Sequence, residues 1–298
     1  GDIRNRAAVG AALNGIDAVV HMAALAHIGE SVVQPARYFD NNVGGTQCLL
    51  DAMVERGVRS FVFSSSCATY GVPERIPITE NTPQVPVNPY GQSKLCCEFL
   101  TRSYGRAYGM RFAILRYFNA AGADESGEIG ALHDPEMRLV PLAIRSALGW
   151  DRALQVFGND FSTPDGTCIR DYVHVNDLAE AHLRALDEIS AGRPELVANL
   201  GSGRGHSVLE IVNAVREVTG KNVPVEMVGR REGDPPVLVA DIKRARELLT
   251  WQPRRDLSAI IATQASWMQN AREQGWDLAV HRLLATTADC ADAQNGKR

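Results

Sequence analysis

The stretch Tyr90-Gly-Gln-Ser-Lys94, together with the serine run Ser64-Ser65-Ser66 upstream, decides how the chain is interpreted. A proline precedes the stretch, and proline suits the first turn of a helix, so we predict a helix that begins here. On a helix, Tyr90 and Lys94 share a face. The pKa of a free phenol is about 10, and a neighbouring cation lowers it, which lets Tyr90 take a proton from a sugar or alcohol hydroxyl. Ser66 would hold the oxygen of that hydroxyl by a hydrogen bond.

Composition and charge exclude several classes of partner. The 298 residues carry a net charge of −4, with acids and bases mixed along the chain. This gives no basic footprint for nucleic acid and no polybasic patch for a membrane surface. The six cysteines lack the paired spacing of a zinc site. We therefore expect a cytoplasmic protein with reduced thiols, and no metal, nucleic-acid or membrane partner.

The alternation of apolar runs and helical spacing predicts the fold class. Apolar runs at residues 16–24, 61–64 and 112–118 are typical of buried parallel strands. Helical spacing at residues 30–56 and 90–108 predicts the helices between them. Strands that alternate with helices form a parallel sheet with right-handed crossovers, an α/β fold. In such sheets, ligands bind beyond the carboxyl ends of the strands.

The second half contains a glycine-rich sequence that imitates a dinucleotide-binding loop. Gly201-Ser-Gly-Arg-Gly205 follows a predicted strand at residues 196–200 and precedes a helix capped by Ser207. Its spacing is Gly-x-Gly-x-Gly rather than Gly-x-Gly-x-x-Gly, so we predict a tight strand-to-helix turn and no cofactor site. His174 follows Arg170-Asp-Tyr and is predicted to make a structural hydrogen bond rather than to act in catalysis.

Ten short segments, in order along nearly the whole chain, carry a resemblance to a known family. They are residues 1–5, 21–25, 40–46, 63–66, 90–94, 115–119, 157–160, 165–174, 199–201 and 230–234. Together they resemble the extended short-chain dehydrogenase/reductase family, and within it the UDP-glucose 4-epimerases. The resemblance implies a Rossmann-like doubly wound parallel sheet with a smaller C-terminal substrate domain.

The resemblance also implies a domain division and a departure from the family. Residues 1–118, with 171–202 returning to them, match a partial NAD-binding domain. Residues 119–170 and 203–285 match a nucleotide-sugar-binding domain, and residues 286–298 are expected to be a disordered tail. The family opens with strands and a Gly-x-x-Gly-x-x-Gly loop that binds the NAD pyrophosphate, and nothing here matches them. We therefore expect that the first strands are missing, and that the chain as written binds NAD poorly and is an inactive fragment.

The activity implied by the resemblance is NAD-dependent epimerisation at C4 of a UDP-hexose. It interconverts UDP-glucose and UDP-galactose through a 4-keto intermediate, in galactose metabolism or in the supply of polysaccharide precursors. By resemblance, Tyr90 is the base, Lys94 lowers its pKa and binds the nicotinamide ribose, and Ser66 binds the substrate oxygen. The residues that match NAD contacts are Asp2, Ile3, Met22, Ala23, Ala24, Leu25, Ala26, Asn41, Ser66, Tyr90, Lys94 and Phe118.

The residues that match contacts to the nucleotide sugar lie mostly in the second half. They are Ser66, Tyr90, Asn119, Arg138, Leu139, Gln155, Val156, Phe157, Arg170, Arg231, Asp234 and Leu238. Two arginines, Arg170 and Arg231, suit a diphosphate because guanidinium binds phosphate oxygens bidentately. Arg138 stands where the family usually has Asn or His. Leu238 stands where the size of the residue is thought to decide whether N-acetyl sugars fit.

Three other interpretations remain open. The chain can be a 4-epimerase of another UDP-sugar, a pentose, a uronate or an N-acetylhexosamine, because the core chemistry is the same. A nucleotide-sugar 4,6-dehydratase is disfavoured, because dehydratases place acids just after the serine or threonine, and here Cys67 and Ala68 follow Ser66. An inert Rossmann-like binding protein is disfavoured, because such proteins commonly lose the tyrosine or the lysine and both are present.

The resemblance also implies a homodimer for the full-length protein. The family usually dimerises through helices that include the catalytic one. Residues 42–53 and the face around Cys96, Phe99 and Leu100 are candidates for a four-helix contact. This expectation rests on analogy with the fold.

Overall fold

The computed structural model describes residues 1–276 apart from residues 134 and 232, and strands alternate with helices through most of them. Along the chain the elements are α1 (Arg6–Ala12), β1 (Ala18–His21), α2 (Ile28–Val33), α3 (Pro35–Tyr38), a π-helical segment (Phe39–Gly44), α4 (Gly45–Arg56), β2 (Ser60–Ser66), a 3-10 turn (Cys67–Thr69), α5 (Pro89–Tyr108), β3 (Arg111–Tyr117), β4 (Asn119–Ala121), α6 (Leu139–Ala147), β5 (Leu154–Phe157), β6 (Ile169–His174), α7 (Val175–Ser190), β7 (Glu195–Leu200), β8 (Gly205–Ser207), α8 (Val208–Thr219), β9 (Val225–Val228), β10 (Val237–Leu238), α9 (Lys243–Leu249) and α10 (Leu257–Glu273). The predicted tail at residues 286–298 lies outside the described residues. No helix in the described ranges is long and apolar enough to cross a membrane.

Residues 1–117, with α7 and β7 returning to them, build a parallel sheet with helices on both faces. Its strand order is β1-β2-β3-β7, and every neighbouring pair is parallel. Helices α4 and α5 pack on one face against residues such as Phe61 and Phe63. Helix α7 packs on the other face, where Val62 and Leu115 are buried. This arrangement confirms the predicted α/β class with a Rossmann-like parallel sheet.

The second half forms two smaller sheets around a separate apolar core. Strand β6 pairs with β10 and β4 in parallel and with β8 in antiparallel, and β5 pairs with β9. Helices α6, α8 and α10 enclose the core beside these strands. The chain crosses from β3 in the first sheet to β4 in the second through the single residue Phe118. The carboxyl ends of β2 and β3 therefore face the strands of the second half.

The predicted single helix at residues 30–56 is wrong. The chain instead forms α2, α3, a π-helical segment and α4. Pro35 ends the first piece, because proline lacks an N–H and its ring clashes inside a helix, and it starts α3 at its first position. The following π turn, Phe39–Gly44, widens the helix by one residue, a device that is frequent at functional sites. Helix α4 ends at Gly57, which caps it in the left-handed conformation with a φ of 74°.

The glycine-rich turn after β7 is held by an internal carboxylate. Asp171 accepts hydrogen bonds from the backbone N–H groups of Ser202, at 2.6 Å, and Gly203, at 3.0 Å. The predicted cap is also present, because Ser207 and Glu210 form a reciprocal capping box at the start of α8. The N–H groups that would bind a phosphate are thus turned to Asp171, which confirms the tight turn.

Helix α5 begins where the sequence predicts, and it lies unusually close to the end of β2. Asn88 caps it by accepting a hydrogen bond from the Gly91 N–H at 2.9 Å. A Cβ atom added to Gly91 would lie 2.4 Å from the carbonyl oxygen of Ala68. Only a glycine allows the first turn of the helix to approach the turn after β2 so closely. This contact brings Tyr90 to the carboxyl end of the sheet.

We predict that Gly91→Ala lowers the free energy of unfolding by about 1–3 kcal/mol, because the new methyl group overpacks against a backbone carbonyl. The matched control is Gly10→Ala in α1, where an added Cβ meets only the tip of the Arg56 side chain, at 3.8 Å. The control should raise the free energy of unfolding by about 0.5–1 kcal/mol through helix propensity. Urea unfolding of both variants measures the difference, and equal effects in the two would contradict the proposed contact.

Candidate active site

The three residues predicted to carry the chemistry come together at the junction of β2 and α5. Ser66 ends β2, while Tyr90 and Lys94 lie in the first two turns of α5. Their exposed fractions are 8%, 7% and 3%, so all three side chains are enclosed. The Lys94 Nζ atom donates a hydrogen bond to the Ser64 carbonyl oxygen at 2.8 Å. Helix and strand are therefore tied together beside the hydroxyl groups.

Burial sets the protonation of Tyr90. It raises the pKa of the Tyr90 phenol well above its ordinary value, and the nearby Tyr117 phenol raises it further. A hydrogen bond with Ser66 lowers this pKa, as expected for a contact that favours the phenolate. The predicted net lowering by Lys94 is wrong for this arrangement of side chains, because the ammonium is directed at the Ser64 carbonyl.

The Lys94 side chain is a buried amine whose pKa lies much closer to neutral pH than that of an ordinary lysine. Burial lowers its pKa to about 8. The ammonium lies 5.0 Å from the centre of the Phe63 ring, whose face favours a cation. Burial lowers the pKa of the neighbouring His21 to about 4, and the positive charge of Lys94 contributes to this lowering. A group with these properties can change partners or protonation near neutral pH.

Asn42, which sequence reasoning missed, links the loop after β1 to the catalytic helix. It is 1% exposed and lies in the π-helical segment. Its Oδ1 accepts from the Leu25 N–H at 2.8 Å, and its Nδ2 donates to the Leu25 carbonyl at 3.0 Å and to Ser93 Oγ at 3.0 Å. Ser93 in turn donates to the carbonyl of Tyr90 at 2.7 Å. The only signal in the sequence was the Asn-Asn pair, of which Asn41 was chosen.

The loop predicted to contact NAD presents small and accessible side chains. Met22, Ala23 and Ala26 are exposed, and Ala24 and Leu25 are half-buried. Their backbone lies at the carboxyl end of β1, where a parallel sheet binds its ligands. Methyl-sized side chains let a flat ligand approach the backbone closely. The loop is therefore accessible, and the contacts of these residues, of Asn41 and of Lys94 with NAD stay predictions.

The other predicted NAD contacts lie on both sides of this loop. Asp2 is exposed and is hydrogen-bonded by Arg4, which lowers its pKa to about 2. Ile3 packs against Gly45, whose added Cβ would lie 2.4 Å from the Ile3 side chain. Phe118 is buried among apolar residues at the crossing between the two halves. The assignment of these three residues to NAD contacts stays a prediction.

Four of the predicted substrate contacts form one group beside the catalytic residues. Arg170 on β6 makes an ion pair with Asp234, and Leu238 on β10 lies opposite Arg170 in the strand pairing. The Arg231 guanidinium and the charges of Arg170 and Asp234 all act on the Cys168 thiol. The charge of Arg170 also reaches Cys67, the residue after Ser66.

Positions on β5 and around α6 divide between accessible and buried. Gln155 is exposed, and Phe157 stacks under the Arg231 guanidinium at 3.7 Å. Val156 points to the opposite face of β5 and its side chain is 1% exposed, while its predicted place in the segment that lines the uracil stays a prediction. Arg138 is bound by Glu136 through Nε at 2.8 Å. Asn119 is exposed on β4, and Leu139 is half-buried at the start of α6.

Strand β6 carries one residue that was predicted to be structural and one that was missed. His174 accepts from the Asn176 N–H at 3.1 Å and bonds Thr263 Oγ1 at 3.0 Å, so its structural role is confirmed. Tyr172 was missed, although it lies two residues after Arg170 and therefore on the same face of the strand. Its phenol is 7% exposed, and the charges of Arg170 and Asp234 act on it.

We predict that Lys94 makes stability depend on alkaline pH. Its pKa is lowered from 10.5 to about 8 in the folded protein, so between these values the unfolded chain binds more protons and stability rises with pH. Relative to Lys94→Met, the wild type should gain up to about 3 kcal/mol across this range. Urea unfolding at several pH values measures the gain.

The control for this prediction is the exposed Lys221. Lys221→Met should follow the pH dependence of the wild type. Parallel curves for the wild type and Lys94→Met would show that Lys94 keeps an ordinary pKa when the protein is folded.

Comparison with known proteins identifies the family. Residues 1–201 match the NAD dependent epimerase/dehydratase family. The chain is 48% identical to the UDP-glucose 4-epimerase of Streptococcus mutans over 263 residues, which are 88% of this chain and 79% of that protein.

Two solved structures show the same fold. The UDP-glucose 4-epimerase of Brucella ovis in complex with NAD is 50% identical, with a TM-score of 0.87 over 89% of this chain and 82% of that one. The enzyme of Bifidobacterium longum in complex with NAD+ and UDP is 39% identical, with a TM-score of 0.87 over 91% and 82%. The junction of β2 and α5, the fold around it and these likenesses agree, and the chain belongs to the NAD dependent epimerase/dehydratase family.

Proposed function

We infer that the full-length protein catalyses NAD-dependent epimerisation at C4 of a UDP-hexose, interconverting UDP-glucose and UDP-galactose. The observation that carries the proposal is that Ser66, at the end of β2, and Tyr90 and Lys94, in the first turns of α5, are enclosed together at one junction tied by the Lys94–Ser64 hydrogen bond. Arg170, on β6 of the second sheet, is close enough for its charge to reach Cys67, the residue after Ser66. A hydroxyl-binding serine and a proton-accepting phenol beside a diphosphate-binding arginine suit a nucleotide sugar. Relatives named UDP-glucose 4-epimerase, which are similar over most of this chain, support this activity.

The residues of this chain would hold the sugar and move one proton. Ser66 holds the C4 oxygen, and Tyr90 takes the C4 hydroxyl proton and later returns it. Bound NAD supplies hydride transfer from C4 and back to the other face of the ring. Lys94 would turn from the Ser64 carbonyl towards the cofactor ribose and the phenol, which lowers the pKa of Tyr90. Enclosure of all three side chains excludes water from the transfer.

The diphosphate and the base of UDP would lie along β6 and β5. Arg170 and Arg231 offer planar guanidinium groups to the phosphate oxygens. The Arg231–Phe157 stack offers a flat surface near the uracil position. Asp234 already accepts from Arg170, and its remaining oxygen is available to a ribose hydroxyl. Leu238 lies opposite Arg170 and borders the space for the sugar.

The main alternative is a 4-epimerase of another UDP-sugar, because the same residues serve every C4 carbinol. A 4,6-dehydratase is less well supported by the structure. It needs an acid or base after the serine, and burial raises the pKa of the Cys67 thiol there to about 12. A thiol with this pKa does not exchange protons near neutral pH.

We predict that Tyr90→Phe lowers kcat for the conversion of UDP-galactose to UDP-glucose by a factor of about 10²–10⁴, because the proton acceptor is lost. The matched control is Tyr104→Phe, on the same helix but bonded to Asp51 away from the site, and it should retain normal turnover. A coupled assay for UDP-glucose with added NAD measures both. Turnover in Tyr90→Phe within a few-fold of the wild type would contradict the assigned base.

We also propose that the protein is a homodimer that pairs through α4 and α5. Phe99 on α5 is 61% exposed, and Cys96 and Leu100 beside it are half-buried. A large apolar side chain on the catalytic helix is typical of a helix–helix contact between subunits.

We predict that Phe99→Asp converts the dimer to a monomer, because it places a charge in an apolar interface. Sedimentation equilibrium measures the mass. The control is Leu183→Asp on α7, which is 62% exposed on another face and should leave the mass unchanged. A monomeric wild type, or a dimeric Phe99→Asp, would contradict this interface.

A cytoplasmic location is part of the same proposal. Cys48, Cys67, Cys96, Cys97 and Cys168 are all free. Unpaired thiols in this number persist in reducing compartments, whereas secreted proteins usually pair theirs. These free thiols support a cytoplasmic location.

A further inference from the structure

A fully buried ion pair lies one helical turn beyond Lys94 and joins α5 to β3. Glu98 follows Tyr90 and Lys94 at intervals of four residues and so lies on the same face of α5. It is 1% exposed, and its partner Arg116 on β3 is 2% exposed. Neither residue belongs to the expected catalytic, cofactor or substrate contacts. A buried charge pair so close to the reacting groups requires an explanation.

The Glu98 carboxylate bonds the strand that carries Ser66. Its Oε1 accepts from Ser65 Oγ at 2.6 Å and from Arg116 Nε at 2.9 Å. Its Oε2 accepts from Arg116 Nη2 at 2.6 Å and from Gln84 Nε2 at 3.2 Å. Ser65 and Arg116 are paired in the β2–β3 register. One carboxylate on the catalytic helix is thus fastened to two neighbouring strands, next to the residue that binds the substrate oxygen.

The Arg116 guanidinium uses every one of its donors. Besides the two bonds to Glu98, Nη1 donates to Tyr70 Oη at 2.9 Å and to the Glu80 carbonyl at 3.2 Å, and Nη2 donates to Gln84 Oε1 at 3.0 Å. These acceptors belong to the long connection between β2 and α5. The guanidinium therefore holds the connection that delivers the chain from Ser66 to Tyr90.

Stability alone is a weak reason for such a pair. Removing two charges from water is costly, and replacing a buried ion pair by apolar residues of similar size is often neutral or stabilising. Apolar residues do not fix the relative orientation of the helix and the strand. The guanidinium and the carboxylate do, because their two parallel hydrogen bonds form in one geometry. A displacement of about 1 Å between reacting groups lowers turnover by about 10²-fold.

We propose that Glu98 and Arg116 are positioning residues that fix α5 against β2, so that the Tyr90 phenol meets the Ser66 hydroxyl at the C4 oxygen of the substrate. The ion pair fixes the position of α5 along the axis of β2. The close approach at Gly91 fixes the distance between α5 and the end of β2. This inference deepens the proposed function and rests on it for the kinetic test.

The decisive variant replaces both charges by apolar side chains of similar length, Glu98→Met with Arg116→Met. The single variants each leave an unpaired buried group and should unfold at lower urea concentration. The double variant should be more stable to urea than either single variant, because no unpaired charge remains, although Ser65, Gln84 and the Glu80 carbonyl still lose a hydrogen-bond partner. Its kcat for UDP-galactose should remain about 10- to 100-fold low, with KM changed less than about threefold, because the substrate contacts are intact and the geometry of the reacting groups is not.

Two further variants separate positioning from general support. Arg116→Lys keeps the charge without the planar fork and should give an intermediate kcat. The control Glu180→Met with Arg184→Met removes a partly exposed pair on α7 and should leave kcat unchanged. Recovery of both stability and kcat in the Glu98→Met/Arg116→Met protein would overturn the proposal, since the pair would then be a structural element only.

A measurement without substrate distinguishes failure of this inference from failure of the proposed function. Hydrogen exchange followed by mass spectrometry reports the amides of residues 66–70 and 89–95. In the double variant these segments should exchange faster than in the wild type, while the rest of the sheet does not. Unchanged exchange would overturn the inference. A wild type that exchanges as expected but does not convert UDP-galactose would refute the proposed activity and leave the positioning role standing.

Discussion

The close approach of α5 to the end of β2 is the contact on which the rest of the structure depends. Gly91 packs against the Ala68 carbonyl, and the Lys94 ammonium reaches back to the Ser64 carbonyl. Ser66 is the last residue of β2, and Tyr90 lies in the first turn of α5. Because these two ends are in contact, the Ser66 hydroxyl and the Tyr90 phenol lie together in one enclosed corner of the protein.

Burial gives this corner its electrostatic character. It raises the pKa of Tyr90 and Cys67 and lowers those of Lys94 and His21, so each group is driven towards its neutral form. The nearby charges of Glu98 and Arg116 are buried as a hydrogen-bonded pair. Proton transfer in such surroundings depends on which partners are present, because there is little water to stabilise an isolated charge.

Local signals predicted the catalytic helix, and long-range contacts limited the rest. The start of α5 was predictable because proline and the Tyr-x-x-x-Lys spacing lie within a few residues. The break at Pro35 was missed because apolar spacing continued across it. Asn42 and the partner of Glu98 were missed because their contacts join residues far apart in the chain, and no local pattern shows such contacts.

The amide of Asn42 has a consequence for how such a protein can change over time. It holds both Leu25, in the loop after β1, and Ser93, between Tyr90 and Lys94. One side chain thus serves two neighbouring regions that would otherwise vary separately. A substitution at Asn42 therefore alters both the loop after β1, which is predicted to contact NAD, and the helix that carries Tyr90 and Lys94. Cofactor binding and proton transfer are coupled through this one residue, so neither can change at Asn42 without the other.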